Sequence, residues 1–252
     1  MQSTIINRIL YSKQFAELIK QLMGIRLIGS ALIKFASFRF KVDEGNCATI
    51  EDFEKLASSW HFLKALTIKP GQIREEIIQL LALVAELHPK VIFELGTALG
   101  GTLYLFSKVV TSHGVIISVD LPGGPFGGGY PEWKIPFYKS FIKRGQRLYL
   151  IRADSHDTKT LEKVKRALGD EKIDFLFIDG DHTYEGVKKD FEMYSPLVRK
   201  RGIIAFHDIV PGSEENVGGV PKLWSEIKTW YKYREIVKNW EQKGFGIGVL
   251  FV

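Results

Sequence analysis

The sequence has 252 residues, of which 45% are hydrophobic and 25% charged, values typical of one globular α/β domain with an extension. Its formal net charge of +6 permits anionic partners without requiring them. Because the positive charge is not concentrated in a recognisable nucleic-acid-binding motif, we expect no nucleic-acid partner. The single cysteine, Cys47, excludes an internal disulfide framework and favours a reducing compartment such as the cytoplasm, and we expect neither a membrane-spanning helix nor a secretory signal.

Residues 1–69 are predicted to form a helical N-terminal extension. The stretch FAELIKQLMGIRLIGSALIKFASFRFK (residues 15–41) is apolar and basic and has no acid after Glu17, so we expect one or two helices there. Two interpretations stay open. The stretch is either a packing or dimerisation element, which would make the protein a homo-oligomer, or a basic amphipathic helix that contacts a membrane surface.

Residues 70–252 are predicted to form a second domain in which strands and helices alternate. GQIREEIIQLLALVAELHP has helical spacing of its apolar residues, and further helices are expected in GTLYLFSKVVTSH, TKTLEKVKRAL and YEGVKKDFEMYSPLV. Between them lie apolar runs that read as buried strands: KVIFELG, GVIISVDL, QRLYLIRAD, KIDFLFIDGD and RGIIAFHDIV. This alternation predicts an α/β fold with a Rossmann-like, doubly wound parallel sheet that helices cover on both faces.

The C-terminal end breaks this alternation. After a helical stretch, VPKLWSEIKTWY, two strand-like runs follow, REIVKNW and GFGIGVLFV, and we expect a tight turn around Gln242, Lys243 and Gly244 to join them. Strands joined in this way pair antiparallel, so the mostly parallel sheet should close with a reversed last strand.

The Gly-rich stretch FELGTALGGT lies between a predicted strand and a predicted helix. Gly96, Gly100 and Gly101 would let a ligand approach the backbone at the helix N-terminus, although their spacing is not that of dinucleotide-binding proteins. Glu94, two residues before the first glycine, would repel a pyrophosphate and favour a cationic ligand. S-adenosylmethionine, which carries an ammonium and a sulfonium but no phosphate, fits this requirement.

Acids at the ends of the next strands extend the predicted cofactor site. Asp120, 24 residues after Gly96, is placed to accept both ribose hydroxyls, and Asp154 or Ser155 to bind the adenine amino group. Each acid alone could equally be a helix cap, but four successive strand ends with acids favour a cofactor. The predicted cofactor residues are Glu94, Gly96, Thr97, Gly100, Gly101, Thr102, Asp120, Leu121, Asp154, Ser155 and Asp179.

The chain from about Gln72 onward resembles the class I S-adenosylmethionine-dependent methyltransferases. The stretches FELGTALGGT, SVDLPGGPFGGGYPEW, FIDGDHTYEGVKKDF and GIIAFHDIVPG are most similar to the family 24 methyltransferases, which are related to cephalosporin-hydroxylase-like and sugar O-methyltransferase proteins. The resemblance implies a seven-stranded sheet with a reversed final strand. It also implies a transferase that methylates a small-molecule or sugar hydroxyl.

Asp179, His207 and Asp208 are the predicted ligands of a divalent ion, Mg²⁺ or Mn²⁺. Asp179 follows one predicted strand and the other two end the next, so the three should converge at one edge of the sheet. In the similar catechol-type O-methyltransferases an Asp-Asn pair follows strand five. Asp208 matches the aspartate, but Ile209 takes the place of the asparagine, so His207 would have to substitute as a ligand. The alternative is that Asp208 caps a turn and His207 packs.

His182 is the predicted general base, three residues after Asp179, where the catechol-type pattern has a lysine. An orienting or structural role for His182 stays open, as does a metal-independent methyltransferase with a histidine base, or a protein that binds the cofactor without catalysis. Asp181 and Glu185 are expected to serve the start of the next helix, Asp181 as its cap.

LPGGPFGGGYPEW, directly after Asp120, holds five glycines and three prolines and should form no regular element. Phe126, Tyr130 and Trp133 would then be bulky groups on a mobile backbone beside the ribose. We expect this segment to act as a lid that closes over cofactor and substrate.

Overall fold

The fold is described by a computed structural model that covers residues 26–62, 66–124 and 129–252. Residues 15–25 of the predicted N-terminal helices and Phe126 of the predicted lid lie outside the described residues. No helix within the described ranges is long and apolar enough to cross a membrane.

A seven-stranded sheet organises the domain, in the spatial order β5-β4-β3-β6-β7-β9-β8. Strands β3 to β7 pair parallel, while β9 runs antiparallel to both β7 and β8, which confirms the predicted reversed last strand. Its strands are β3 (Val91–Leu95), β4 (Val115–Asp120), β5 (Arg147–Arg152), β6 (Ile173–Ile178), β7 (Val198–His207), β8 (Lys232–Ile236) and β9 (Ile247–Phe251). A short hairpin, β1 (His61–Phe62) with β2 (Leu66–Thr67), precedes them.

Helices cover both faces of the sheet. They are α1 (Arg26–Glu44), α2 (Ile50–Ser59), α3 (Arg74–Glu86), α4 (Gly101–Val109), α5 (Ile135–Lys139), α6 (Thr158–Leu168), α7 (Tyr184–Tyr194), α8 (Glu214–Val217) and α9 (Val220–Ile227). Apolar side chains of α1 to α5 share one core with one face of the sheet, and those of α6, α7 and α9 share a second core with the other face. The central strands are buried along their whole length, which is why they read as continuous apolar runs.

The described part of the N-terminal extension packs closely on the sheet domain. Phe40 of α1 contacts the rings of Tyr104 and Phe141, with centroids 5.0 and 5.4 Å apart. A buried ion pair between Glu44 and Lys108 adds a polar tie between α1 and α4. The division between residues 69 and 70 stays a prediction.

Three local predictions differ from the structure. Strands β8 and β9 are joined by residues 237–246 and not by a tight turn, because Ile236 pairs with Ile247 and leaves ten residues between them. The predicted helix over 184–198 ends at Tyr194, where Pro196 lies in a short 3₁₀ segment. A similar segment follows α9, so the helix predicted over 220–231 ends at Ile227.

The second half of the predicted lid is part of the core. Tyr130 is 2% exposed and packs edge-on against Tyr138, with centroids 4.9 Å apart, while its carbonyl accepts a hydrogen bond from Arg152. Glu132–Lys134 form a 3₁₀ turn, although no regular element was expected, and Trp133 is half-buried. The prediction that Tyr130 and Trp133 sit on a mobile backbone is therefore wrong, because apolar burial anchors both rings.

Candidate active site

A cavity of about 600 Å³ opens at the carboxyl ends of strands β3, β4, β5, β6 and β7. This is the edge at which open α/β sheets bind ligands. Six of the predicted cofactor residues line it: Gly96, Asp120, Leu121, Asp154, Ser155 and Asp179. The other five, namely Glu94, Thr97, Gly100, Gly101 and Thr102, are not among the lining residues, and they lie behind this surface or support it.

The glycines of the first loop have different structural reasons. Gly96 has a φ of +94°, and a Cβ on it would overlap the carbonyl of Asp179, so β3 and β6 approach closely there. Gly100, with a φ of +76°, leaves room for the ring of Tyr138. A Cβ on Gly101 would overlap the backbone of Lys69 and Pro70. Of the three glycines, only Gly96 lines the cavity.

Glu94 lies beneath the loop and has no exposed surface. Ser118 donates a hydrogen bond of 2.6 Å to Oε2, and Thr102 donates to Oε1. Thr97 joins this network through Ser118, with 2.5 Å between the two hydroxyl oxygens. Burial raises the pKa of Glu94 to about 8, because hydrogen bonds to the carboxylate offset only part of the desolvation. A carboxyl that is neutral at pH 7 cannot attract a cation as the sequence pattern suggested.

Asp120, the last residue of β4, holds two loops of the cavity wall in place through hydrogen bonds to their backbone. Its Oδ2 accepts the backbone N–H groups of Thr97 and Ala98 at 3.2 and 2.7 Å, and its Oδ1 accepts that of Gly129 at 2.8 Å. Ala98 reaches this geometry with a φ of +43°, which is uncommon for a residue with a side chain. The side chain lines the cavity but is 4% exposed, and burial raises its pKa.

Asp154 and Ser155, the residues predicted to bind adenine, line the cavity together with His156, and their role in binding adenine stays a prediction. His156 Nε2 lies 3.2 Å from Oδ1 of the buried Asp190 and 3.0 Å from the carbonyl of Gly186. The contact with the Asp190 carboxylate raises the pKa of His156. The sequence did hold a signal for this pair: Asp190 lies on the face of helix α7 that is buried, where apolar residues are expected.

At the other end of the cavity, four titratable side chains meet around Asp179. Oδ1 of Asp179 and Oδ2 of Asp208 each lie 3.1 Å from His207 Nδ1 and 3.7 Å from His182 Nε2. Gln72, which the sequence did not single out, donates a hydrogen bond of 2.7 Å to Oδ2 of Asp179. The expected convergence of the ends of β6 and β7 is therefore present in the structure.

His207 lies on the buried side of this cluster. It ends β7, is 6% exposed, and has no hydrogen-bond partner for Nε2 within the described part of the chain. Burial opposes a charge on the ring, but the neighbouring Asp179 carboxylate outweighs it and raises the pKa of His207. The same pairing lowers the pKa of Asp179 although burial acts to raise it. At neutral pH the two form an ion pair.

His182, in contrast, faces the cavity with a defined tautomer. Its Nδ1 lies 2.5 Å from the carbonyl oxygen of Asn216, which can only accept, so Nδ1 carries the hydrogen. One ligand atom each of Asp179, His182 and Asp208 lies within 4.8 Å of the others. This set differs from the predicted metal ligands, since His182 takes the place of His207. Whether His207 ligates an ion stays a prediction.

Asp181 and Glu185, which were expected to serve the start of the next helix, have local roles. Thr183, and not Asp181, caps helix α7, because its hydroxyl accepts the N–H of Gly186 at 3.0 Å. Asp181 instead accepts the N–H of Thr183 at 2.8 Å and lines the cavity, and Glu185 lies in the first turn of α7.

Comparisons with known proteins agree with this architecture. Residues 93–209 match the model of a methyltransferase domain family. An uncharacterized protein of Sinorhizobium fredii is 30% identical over 149 residues, which are 58% of this chain but 16% of that protein. An uncharacterized mimivirus protein is 56% identical over 36 residues, 14% of this chain and 16% of that protein. The chain thus aligns with about a sixth of the length of these curated relatives.

Two solved structures share the fold at low sequence identity. An O-methyltransferase from Bacillus cereus in complex with SAH superposes with a TM-score of 0.53 at 16% identity, over 87% of this chain and 100% of that chain. The O-methyltransferase TomG from Streptomyces achromogenes, involved in tomaymycin synthesis and in complex with SAM, gives a TM-score of 0.53 at 14% identity, over 82% and 91%. Residues 93–209 of the chain therefore match the methyltransferase domain of family 24, and the chain shares the fold of these two O-methyltransferases.

Proposed function

We propose that the protein is an O-methyltransferase that transfers a methyl group from S-adenosylmethionine to a hydroxyl of a small molecule or a sugar, with a divalent ion beside the acceptor. One observation carries this proposal. Ligand atoms of Asp179, His182 and Asp208 cluster within 4.8 Å in the same cavity whose far end holds Asp120 and Asp154. In this proposal the cofactor site and the ion site are therefore neighbours in one cavity.

The donor set of the cluster fits Mg²⁺ or Mn²⁺. Two carboxylates are ligands that these ions prefer, and an imidazole is compatible with manganese. The hydrogen bond from Nδ1 of His182 to the Asn216 carbonyl presents Nε2 to the ion, as in many metal sites. A bound ion would act as a Lewis acid that lowers the pKa of the acceptor hydroxyl.

The side chains and backbone around the cavity would bind the cofactor and orient the reactants. Asp120 would hold the ribose hydroxyls, Asp154 and Ser155 the adenine, and the backbone at Gly96 would admit the methionine part of the cofactor. The cofactor, when bound, supplies the methyl group. Alignment of the methyl donor with the acceptor oxygen is the main requirement of this reaction.

A metal-independent form of the same reaction is the second candidate, because His207 already places a positive charge between the two carboxylates. His182 would then be the general base, since its Nε2 faces the cavity and can take the hydroxyl proton. Nε2 cannot ligate an ion and accept a proton at once. It is therefore a metal ligand in the first candidate and the general base in the second.

Calorimetric titration of S-adenosylmethionine and S-adenosylhomocysteine, with and without Mg²⁺, tests the proposal. Both should bind, and Asp120→Asn should weaken both. Asp208→Asn should reduce Mg²⁺ binding, whereas Asp181→Asn, which removes the same charge from the cavity wall outside the cluster, should not. No cofactor binding under any condition sinks the proposal. Turnover that survives a chelator selects the metal-independent form.

We also propose that the N-terminal extension contacts a partner, either a second copy of the chain or a membrane surface. An exposed face of α1 carries Phe35 and Phe38, 55% and 67% exposed, next to Lys34 and Arg39. This surface supports both a homo-oligomer and a membrane contact through residues 15–41. Light scattering of the purified protein and sedimentation with anionic vesicles distinguish the two. Cytoplasmic localisation stays a prediction.

A further inference from the structure

The connection between β8 and β9 contains a strained turn at Lys243–Gly246. All four of its residues have a positive φ: 59° at Lys243, 122° at Gly244, 59° at Phe245 and 79° at Gly246. Glycine adopts such angles freely, but residues with a Cβ do so at a cost of about 1–3 kcal/mol each. Two such residues in one turn require surroundings that enforce this backbone.

Glu76 supplies much of that enforcement. This α3 residue has no exposed surface, and its carboxylate accepts three hydrogen bonds from the connection. The N–H of Gly246 donates at 3.0 Å, the side chain of Gln242 at 2.8 Å and the N–H of Lys238 at 2.9 Å. A buried carboxylate with this many donors fixes the connection before any ligand is present.

The strained turn faces the reactive end of the cavity. The N–H of Phe245 donates a hydrogen bond of 3.0 Å to Oδ1 of Asp208, and the ring of Phe245 lies 6.0 Å from that of His207, between centroids. Phe245 is nevertheless 39% exposed, which is unusual for a large apolar side chain that is held so firmly. Lys243, Gly244 and Phe245 all line the cavity.

Charge makes Lys243 distinctive. It is the single lysine or arginine among the described residues that line the cavity, and none of the ion pairs found in the described ranges involves it. The carboxylates of Asp179 and Asp208 each lie 3.1 Å from Nδ1 of His207. Lys243 is exposed at the cavity wall, and a cation there without a carboxylate partner fits a ligand that brings its own negative charge.

We propose that the strained turn Lys243–Gly246 is the acceptor-binding wall, in which Phe245 supports the ring of the acceptor and Lys243 selects an acceptor with an anionic group, a carboxylate or phosphate. This inference rests on the proposed function, whose acceptor it narrows. The ring would pack on the exposed face of Phe245 beside His207, with its hydroxyl toward Asp179 and Asp208. Glu76 is a positioning residue that acts through the turn.

The test compares two acceptors that differ in one carboxylate, catechol and 3,4-dihydroxybenzoate, by calorimetry and by turnover in the presence of Mg²⁺. With S-adenosylhomocysteine bound, the wild-type protein should bind the carboxylate compound about tenfold more tightly. Lys243→Met should abolish this preference and Lys243→Arg should keep it. Lys172→Met removes an exposed lysine just before β6, at the opposite edge of the sheet, and should keep it as well. Phe245→Leu should weaken both compounds alike.

The outcomes separate this inference from the function on which it rests. If S-adenosylhomocysteine does not bind, the proposed function fails and the acceptor wall fails with it. If it binds but the two acceptors bind equally, or neither binds, only the acceptor wall is overturned. A Lys243→Met variant that loses affinity for S-adenosylhomocysteine while it keeps the carboxylate preference also overturns it, since Lys243 would then serve the carboxylate of the cofactor.

Discussion

Glu94→Gln is expected to change how the stability of the protein depends on pH. The wild-type carboxyl is fully buried, and burial raises its pKa to about 8 from an ordinary value of 4.5. The folded protein therefore keeps this proton at neutral pH, while the unfolded chain releases it. Glutamine has the shape of the protonated acid and can hydrogen-bond to both Ser118 and Thr102 without a proton to lose.

The magnitude follows from proton linkage. Between pH 4.5 and 8 the folded state binds one proton more than the unfolded state at this residue, so stability falls as the pH rises. The slope is about 1.4 kcal/mol per pH unit, which amounts to about 3 kcal/mol between pH 5.5 and 7.5. Below the unfolded pKa both states are protonated and the contribution of Glu94 no longer depends on pH.

Urea unfolding, followed by tryptophan fluorescence at pH 5.5 and 7.5, measures this effect. The stability of Glu94→Gln relative to the wild type should rise by about 3 kcal/mol between the two pH values. Glu86→Gln, which removes a carboxylate from the exposed end of α3, controls for the change in net charge. Parallel pH profiles of wild type and Glu94→Gln would refute the reasoning, because they would show that the buried carboxyl is ionised in the folded protein.

Two further predictions concern packing in the N-terminal half. Gly101→Ala should lower the melting temperature by about 5 °C or more, because its Cβ would overlap the backbone of Lys69 and Pro70. Gly71→Ala is the control, since a Cβ there meets nothing within 4 Å; equal melting temperatures of the two variants would contradict the predicted overlap. Lys108→Met should cost about 1–3 kcal/mol, because Glu44 loses its buried partner on Oε1 and keeps only Lys41 on Oε2. Adding Glu44→Gln should recover part of that loss in denaturant titrations, and no recovery would show that the ion pair is not the cause.

Much of the fold could be predicted because its signals are local. The helix over Thr158–Leu168 agrees with its predicted bounds, since turn residues flank it and its apolar residues keep helical spacing. The buried strands agree as well, because both faces of a parallel sheet require apolar residues. The connection of β8 and β9 was missed, since a glycine-bearing stretch reads as a tight turn whether or not Glu76, far away in the sequence, holds it in a longer path.

The candidate site was likewise predictable in part from the sequence. The sequence by itself determined that Asp120, Asp179 and Asp208 would stand at the carboxyl edge of the sheet, because each lies at the end of a predicted strand and parallel strands end at the same edge. Only the tertiary structure decided how the two histidines differ: Nδ1 of His207 lies 3.1 Å from both carboxylates, whereas a ligand atom of His182 lies within 4.8 Å of those of Asp179 and Asp208.

The tertiary structure also decided what the remaining polar residues do. Glu94 became a buried neutral acid because its desolvation outweighs the hydrogen bonds that it accepts from Ser118 and Thr102. Lys243 became part of the cavity wall because Glu76 holds the connection that contains it. Burial and hydrogen-bond partners come from residues distant in the chain, and no local pattern encodes them.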